Sequence, residues 1–304
     1  MVIRSFEALQ AAMVTRPAMR LAVAGAEEPS VIAGLVAGFA AGLLAQAVLT
    51  GRAEAIAPQI PADLASRIRI LPAASAAEAA ALAVAEVRAG RADVLMKGTV
   101  DSAAYLRAVV DRETGIRAGG VLSNVTLAEM PSVPRLIGAT DNGIVPLPTL
   151  DQKRAMLLNA LPLFRGLGLA EVRVAAIAAS EKVSDRQPAT VDAAALAQES
   201  RDGALPGLIV DGPFGYDVAL SEKAAAAKGL AGSPVAGKAD LILFPNLESG
   251  NATVKAWKLH GQAKTGSLVL GATVPVLLNS RSDGPDRRVL GLVMAQAVRA
   301  GMGL

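Results

Sequence analysis

The chain of 304 residues is 52% hydrophobic and 19% charged, a composition typical of a packed globular protein rather than a disordered one. It contains no cysteine and one histidine, which excludes disulfides, cysteine–zinc sites, iron–sulfur clusters and a cysteine nucleophile, and disfavours a His-rich metal site or a Ser-His-Asp triad. The net charge is +3 with scattered basic residues, and aromatic residues make up 3%, so the basic stripe and stacking aromatics of a nucleic-acid binder are missing.

Short apolar runs of strand length alternate with longer Ala-rich runs of helical length. The predicted strands are 20–24, 67–71, 92–96, 135–139, 172–178, 207–211, 240–244 and 274–279. The predicted helices are 30–48, 76–89, 101–112, 150–166, 190–200, 220–228, 250–260 and 286–300. This alternation predicts an α/β fold with mainly parallel sheets, whose apolar strands are buried on both faces.

Residues 31–50 form an uncharged run that is long enough to cross a bilayer. The run is rich in Ala and Gly, is interrupted by Gln46, and follows Ser30, a residue type that commonly caps a helix. We interpret it as the buried helix 30–48 of an α/β layer, not as a membrane span. The first residues do not have the apolar region of a signal peptide, so we expect a cytoplasmic protein.

Polar, glycine-containing loops follow five predicted strands, at the carboxyl ends where open parallel sheets bind ligands. They are residues 97–99, 140–143, 212–215, 245–251 and 280–283. Each loop alone is also consistent with an ordinary turn, and Ser249 or Asn251 with a helix cap. Their convergence on one sheet edge favours a ligand site.

Two of these loops have the residue types of an anion site. Residues 249–251 stand at a predicted helix start, where backbone N–H groups and the helix dipole favour negative charge, and residues 97–99 have the same potential. Neither loop has the Walker pattern, and no G-x-G-x-x-G follows a strand. The sequence therefore has neither the motif typical of nucleotide hydrolases nor the motif typical of dinucleotide-dependent oxidoreductases.

The loop at 280–283 combines the most chemistry. Ser280, Arg281 and Asp283 place a hydroxyl, a guanidinium and a carboxylate at one strand end. An arginine can hold a phosphate with two parallel hydrogen bonds, and a carboxylate that faces the substrate can act as a base. The alternative is a solvated charged turn, because the charged residues 286–288 follow.

Six collinear segments resemble the phosphate acetyl/butyryltransferases, and most closely the butyryltransferase branch. They are 94–117, 122–131, 139–160, 211–221, 235–251 and 270–283. The resemblance implies a fold similar to that of isocitrate and isopropylmalate dehydrogenases, with two α/β/α domains around a cleft. The proline-rich segment 145–150 is the predicted linker, so that residues 1–145 and 272–304 form the first domain and 146–271 the second.

The resemblance also implies a reaction and an assembly. The reaction is acyl-CoA plus phosphate giving acyl phosphate plus CoA, with a short acyl group such as acetyl or butyryl. No metal and no tightly bound cofactor are implied, because CoA and phosphate are substrates. The implied assembly is a homodimer.

The resemblance assigns candidate site residues. Ser280 and Arg281 match the family's serine–arginine pair, and Arg107 matches an arginine on the helix after the Lys-Gly loop. The aspartate is Asp283 on the butyryltransferase pattern or Asp286 on the acetyltransferase spacing, and we prefer Asp283. The candidate substrate-binding residues are Lys97, Arg107, Thr140, Asp141, Asn246, Glu248, Ser249, Gly250 and Asn251.

Two departures from the family leave the acyl chain length open. Asn124 stands where the branch usually has histidine, and Phe214-Gly215 stands where it often has Ala or Leu.

Two alternative functions also remain. One is a metal- and NAD-dependent dehydrogenase on the same fold, which needs clustered Asp or His ligands that the sequence does not show. The other is a non-catalytic protein that binds CoA or an acyl phosphate.

Overall fold

The computed structural model describes residues 2–278 and 284–304, which form two compact units. The first unit comprises residues 7–120, 266–278 and 284–299, and the second comprises residues 2–6, 121–265 and 300–304. Both units alternate strands and helices, so the predicted α/β fold with mainly parallel sheets is confirmed.

The helices that lie wholly or mostly in the first unit are α1 (Phe6–Met13), α2 (Pro29–Ala40), α3 (Ala53–Ile56), α4 (Ala76–Arg88), α5 (Ser102–Val110) and α11 (Pro285–Gly301). Its strands are β1 (Met19–Ala24), β2 (Leu44–Gly51), β3 (Ile68–Pro72), β4 (Val94–Lys97), β10 (Lys264–Leu270) and β11 (Val276–Leu277). The strand order is β3-β2-β1-β4-β11-β10, and all neighbours are parallel except β11 and β10.

The helices of the second unit are α6 (Leu150–Gly166), α7 (Pro188–Arg201), α8 (Tyr216–Leu220), α9 (Glu222–Ala227) and α10 (Leu247–Leu259). Its strands are β5 (Ser123–Met130), β6 (Val133–Thr140), β7 (Val172–Ile177), β8 (Leu208–Phe214) and β9 (Leu241–Leu243). The strand order is β5-β6-β9-β7-β8, in which only β5 and β6 form an antiparallel pair.

Inside both units the strands are buried on both faces, as their apolar runs predict. All residues of β4 and β9 are buried, and so are five of the six residues of β1. These strands contribute Leu, Val, Ile, Ala and Met side chains to the cores, since helices pack on both faces of such a sheet.

The predicted helix 30–48 is wrong in its second half. Helix α2 ends at Ala40, Gly42 follows with a positive φ of 73°, and residues 44–51 form β2. Pairing of β2 with β1 on one side and β3 on the other outweighs the local Ala-rich pattern. Across the described residues, no helix has the length and apolarity needed to span a membrane.

Two further predicted elements differ from the structure. The predicted helix 220–228 is two helices, because Ser221 ends α8 and caps α9 by accepting a hydrogen bond from the Ala224 N–H at 3.2 Å. The predicted strand 274–279 is reduced to the two residues of β11, which follow Pro275, a residue that cannot donate to a strand ladder.

The division into units falls at different residues from the predicted domain boundaries. The units divide between 120 and 121 and between 265 and 266, whereas the sequence places the boundaries at 145/146 and 271/272. The strand hairpin of β5 and β6 accounts for the first difference. Since β6 pairs with β9, this hairpin belongs to the second unit.

Candidate active site

In the first unit, the loop after β4 is joined to the loop after β1. The parallel pairing of Ala24 with Lys97 brings both strand ends to one edge. The Gly98 N–H donates to the Ala24 carbonyl at 2.9 Å, and the Thr99 N–H donates to the Gly25 carbonyl at 2.7 Å. A Cβ at Gly98 would lie 1.7 Å from the Gly25 carbonyl oxygen, so only glycine fits this approach.

Glu27 links this loop to the end of β2, and sequence reasoning missed it. The Thr99 hydroxyl donates to its Oε2 at 2.6 Å, and the Arg52 N–H donates to its Oε1 at 3.1 Å. Partial burial opposes ionisation of this carboxyl group. The hydrogen bonds from Thr99 and Arg52 outweigh burial and hold the pKa of Glu27 below its usual value. A carboxylate therefore fixes the loop at 97–99.

The two predicted basic ligand residues of this unit have different environments. Lys97 is 5% exposed, and its Nζ donates to the carbonyls of Gly98 at 3.2 Å and of Val100 at 3.1 Å. Arg107 lies in the last turn of α5 and is exposed. An exposed guanidinium can pair with a phosphate that arrives from solvent, whereas the Lys97 ammonium already contacts its own loop.

Tyr105 anchors α5 to β11. The ring is fully buried, and its hydroxyl donates to the Leu277 carbonyl at 3.4 Å. Burial raises the pKa of the Tyr105 phenol well above its usual value, so the hydroxyl keeps its proton. The contact places the helix that carries Arg107 beside the end of β11. The sequence signal that could have found it is a lone tyrosine on the buried face of this helix.

The predicted catalytic residues Ser280, Arg281 and Asp283 lie outside the described residues, between β11 and α11. The charged residues at 286–288 differ in their exposure to solvent. Asp286 is exposed in the first turn of α11, but Arg288 is only 1% exposed. A Cβ at Gly34 would lie 2.3 Å from the Arg288 Cδ, so the arginine side chain packs on the α2 backbone.

In the second unit, Asp141 is a structural carboxylate. It is 2% exposed and accepts three backbone hydrogen bonds, from Asn124 at 2.8 Å, Gly143 at 2.6 Å and Ile144 at 2.8 Å. Burial raises the pKa of Asp141, although these N–H groups act in the opposite direction. Both carboxylate oxygens thus hold the turn after β6 rather than an outside group.

A second set of hydrogen bonds closes the same turn. The Asn142 Oδ1 accepts from the Asn124 amide at 2.8 Å and from the Thr126 hydroxyl at 3.1 Å. The Thr140 hydroxyl donates to the Asn124 carbonyl at 2.9 Å. The Asn251 amide donates to the Asn142 carbonyl at 3.0 Å, which ties α10 to the turn. Asn124, the residue that departs from the family, is therefore an interior hydrogen-bonding residue.

The start of α10 completes this cluster. Asn246 is the N-cap, because its Oδ1 accepts from the Ser249 N–H at 2.9 Å, and the Ser249 hydroxyl donates to the Asn246 carbonyl at 2.9 Å. A Cβ at Gly250 would lie 2.3 Å from the Asp141 carbonyl oxygen, so glycine permits the close packing. Glu248 is exposed in the first turn.

The structure thus divides the predicted substrate-binding residues between the two units. Lys97 and Arg107 belong to the first unit, and residues 140–141 and 246–251 belong to the second. No group of three or more His, Asp or Glu side chains arranged to hold a metal is found within the described parts of the chain.

The fold is that of the phosphotransacylases. It matches the crystal structure of a branched-chain phosphotransacylase from Enterococcus faecalis V583 with a TM-score of 0.81 and 26% sequence identity, over 92% of this chain and 99% of that one. The family described as phosphate acetyl/butaryl transferase matches residues 68–296.

Two curated relatives agree with this class. A phosphate butyryltransferase of Clostridium beijerinckii is 36% identical over 300 residues, which cover 98% of both chains. A phosphate acetyltransferase of Thermotoga maritima is 37% identical over 218 residues, covering 72% of this chain and 74% of the relative. The chain belongs to the phosphate acetyl/butyryltransferase family, and the predicted membership and enzyme class, acyltransferase, are confirmed.

Proposed function

We propose that the protein transfers a short acyl group reversibly between coenzyme A and inorganic phosphate. The observation that carries the proposal is the family match over residues 68–296, which includes the strand-end loops of both units. The relatives that support it act on butyryl or acetyl groups by name, so the acyl group is of this size. The protein needs no tightly bound cofactor, because CoA and phosphate are its substrates.

We further propose a cytoplasmic homodimer with an architecture similar to that of isocitrate and isopropylmalate dehydrogenases. The support for this arrangement is the resemblance to the family. Light scattering after size-exclusion chromatography should give twice the chain mass of 30.8 kDa. A mass equal to one chain would remove the dimer from the proposal without affecting the reaction.

In this proposal the reaction toward acyl-CoA is a direct displacement. The thiol sulfur attacks the acyl carbon of the acyl phosphate, the carbon–sulfur bond forms, and the carbon–oxygen bond to phosphate breaks. Ser280 donates a hydrogen bond to the oxyanion that develops on the acyl oxygen. Arg281 and Arg107 hold the phosphate and balance its charge as it leaves.

Asp283 is the proposed base that receives the thiol proton. A free thiol has a pKa of about 8.5 and a free Asp of about 3.9, so complete transfer in water costs roughly 6 kcal/mol. Desolvation of Asp283, or proton transfer concerted with sulfur attack, lowers this cost. Asp286 is the alternative base on the acetyltransferase spacing.

The structure supports a division among the predicted substrate-binding residues. Arg107 and Glu248, whose side chains are exposed, stay as substrate-binding candidates. Hydrogen bonds within the protein support a positioning role for the side chains of Lys97, Thr140, Asp141, Asn246, Ser249 and Asn251. The N–H groups of Leu247, Ser249 and Gly250 at the start of α10 also donate within the protein.

Replacement of Ser280 tests the proposed centre. Ser280→Ala should lower kcat about 100- to 1,000-fold with little change in KM, because removal of one oxyanion donor has an effect of that order. Ser282→Ala in the same loop is the matched control and should keep most of the activity. Normal turnover by Ser280→Ala would overturn the assignment.

Arg281→Gln should raise the KM for phosphate, and an unchanged KM would remove the proposed role of Arg281 in holding the phosphate.

A thiol-release assay with acetyl-, propionyl-, butyryl- and longer acyl-CoA, with and without phosphate, tests the reaction itself. Release should require phosphate, and each methylene should change kcat/KM by about 10- to 200-fold around the preferred length. Binding of CoA without thiol release would favour the non-catalytic alternative. Thermal stabilisation by NAD and Mg²⁺ instead of CoA would favour the dehydrogenase alternative.

A further inference from the structure

The first unit contains an arginine-lined cavity of about 340 Å³ at the amino ends of its strands. Arg20, the second residue of β1, pairs in register with Gln46, and Arg69, the second residue of β3, pairs with Val48. Arg67 and Arg91 complete the basic lining. Arg20 lies four residues, or about 13 Å, before Ala24, the register partner of Lys97, so this cavity is at the sheet edge opposite the candidate active site.

The guanidinium groups of this cavity outnumber the carboxylates that they contact. Arg20 and Arg299 share Asp93, with Nη–Oδ1 distances of 2.7 and 2.9 Å. Arg69 and Arg91 share the buried Glu86. About half of the Arg69 and Arg91 side chains stays exposed, 51% and 55% respectively.

Arg67 adds a charge that no described carboxylate balances. Its Nε donates to the Ala45 carbonyl at 2.9 Å, its Nη2 donates to the Leu44 carbonyl, and its guanidinium lies 4.4 Å from the centre of the Phe39 ring. The four guanidinium groups that line the cavity therefore contact two carboxylates, Asp93 and Glu86, which leaves an excess of two positive charges. Within the described part of the chain, no acidic side chain lines the cavity itself.

A cavity of the second unit provides the contrast. It measures about 560 Å³ and is also basic in part, with Arg4, Arg135, Arg173 and Lys238 in its wall. Three carboxylates, those of Glu171, Glu222 and Asp240, line the same wall. Its charges nearly cancel, whereas those of the arginine-lined cavity do not.

We propose that the arginine-lined cavity binds a phosphorylated small molecule that carries two or three negative charges. Its volume lies within the range of about 300–1,000 Å³ that is usual for ligand sites. Guanidinium groups bind phosphate oxygens through parallel N–H donors, and Gln46 and Ser66 add neutral polar groups to the wall. The apolar side chains of Leu21 and Ile68 provide surface for a compact organic part.

Titration calorimetry with inorganic pyrophosphate at fixed low salt tests the site. Gln46→Glu adds a negative charge to the wall and leaves every arginine pair intact, and Arg69→Gln removes one guanidinium while Arg91 still holds Glu86. Both changes should weaken binding and raise the Kd for pyrophosphate at least about tenfold. Unchanged catalytic turnover and circular dichroism should show that Gln46→Glu is folded.

Two further variants locate the binding. Lys238→Gln removes a positive charge from the balanced cavity, and Arg281→Gln changes the proposed catalytic centre. Both should leave the Kd for pyrophosphate within about twofold of the unmodified protein, because neither residue lines the arginine-lined cavity. A Kd that responds to Arg281→Gln and not to Gln46→Glu would overturn the proposal, and so would the absence of binding at millimolar pyrophosphate.

Discussion

In the second unit, the polar residues that follow the strands form hydrogen bonds within the protein. Asp141 accepts three backbone hydrogen bonds, and Asn246 caps α10. In the first unit, the loop after β4 is held by backbone contacts to β1 and by the Glu27 carboxylate, while Arg107 is exposed on the next helix. The strand-end loops of both units thus form a scaffold, and the exposed charged side chains of Arg107 and Glu248 lie on the helices that follow them.

The hydrogen-bond partners, and not the residue types, separate the two roles. A buried carboxylate whose two oxygens both accept hydrogen bonds from backbone N–H groups is already engaged and is poorly placed to receive a substrate proton. An exposed guanidinium beside a fixed loop can contact a phosphate. The hydrogen-bond partners therefore mark Asp141 as a positioning residue and leave Arg107 accessible to a ligand.

The largest expected effect tests the scaffold role of Asp141. Asp141→Ala should lower the free energy of unfolding by about 4 kcal/mol, because one buried and two partly buried N–H groups lose a charged acceptor. Asp141→Asn keeps an oxygen acceptor and should cost about half as much. Urea unfolding measures both values, and Glu248→Ala on the exposed side of the same helix start is the control. A loss below about 1 kcal/mol in Asp141→Ala would contradict the scaffold role.

Gly98→Ala tests how tightly the first-unit loop is held. The added Cβ would meet the Gly25 carbonyl oxygen at 1.7 Å, so the loop must move away from β1. We expect a loss of about 3 kcal/mol in stability and of about 100-fold in kcat/KM, since small displacements near reacting groups have effects of this size. Gly232→Ala, where a Cβ meets no atom within 4 Å, is the matched control. Equal behaviour of the two variants would show that the loop contact is unimportant.

The smallest expected effect concerns pH. The pKa of Glu27 is lowered in the folded protein, so its carboxylate stabilises the fold above its ordinary value of 4.5, and this contribution is lost as the pH falls through the lowered value. Glu27→Gln should cost about 1 kcal/mol at pH 7, because the group is only partly buried, and nothing once the carboxyl is protonated.

Unfolding curves at several pH values measure this difference. Glu28→Gln is the neighbouring control, because Glu28 caps α2 without a side-chain hydrogen bond. A Glu27→Gln penalty that stays constant from pH 7 down to pH 3 would show that the charge is not involved.

Elements with local signals were predictable from the sequence, and elements that depend on distant partners were not. Helix α6 begins and ends at the predicted residues 150 and 166, because Thr149 and Gln152 form a capping box at its start. Strand β2 was missed, since its identity depends on pairing with β1 and β3 rather than on its own residues.

The same limit applies to the site. The strand-end rule found the loops at 97–99, 140–143 and 245–251, because parallel pairing alone determines where such loops gather. It could not distinguish Asp141 as a scaffold residue, since its partner Asn124 is 17 positions away in the chain. Glu27 was missed for the same reason, because Thr99 is 72 positions away.

Phosphorus NMR of the complete reaction tests the central claim most directly. The purified protein is mixed with butyryl-CoA or acetyl-CoA and inorganic phosphate, and acyl phosphate and free thiol are followed together. Acyl transfer to phosphate predicts an acyl phosphate resonance that grows in equal amount with the free thiol, and that disappears again when excess CoA is added. Thiol release without acyl phosphate would indicate hydrolysis, and the absence of both products would contradict an acyltransferase for these substrates.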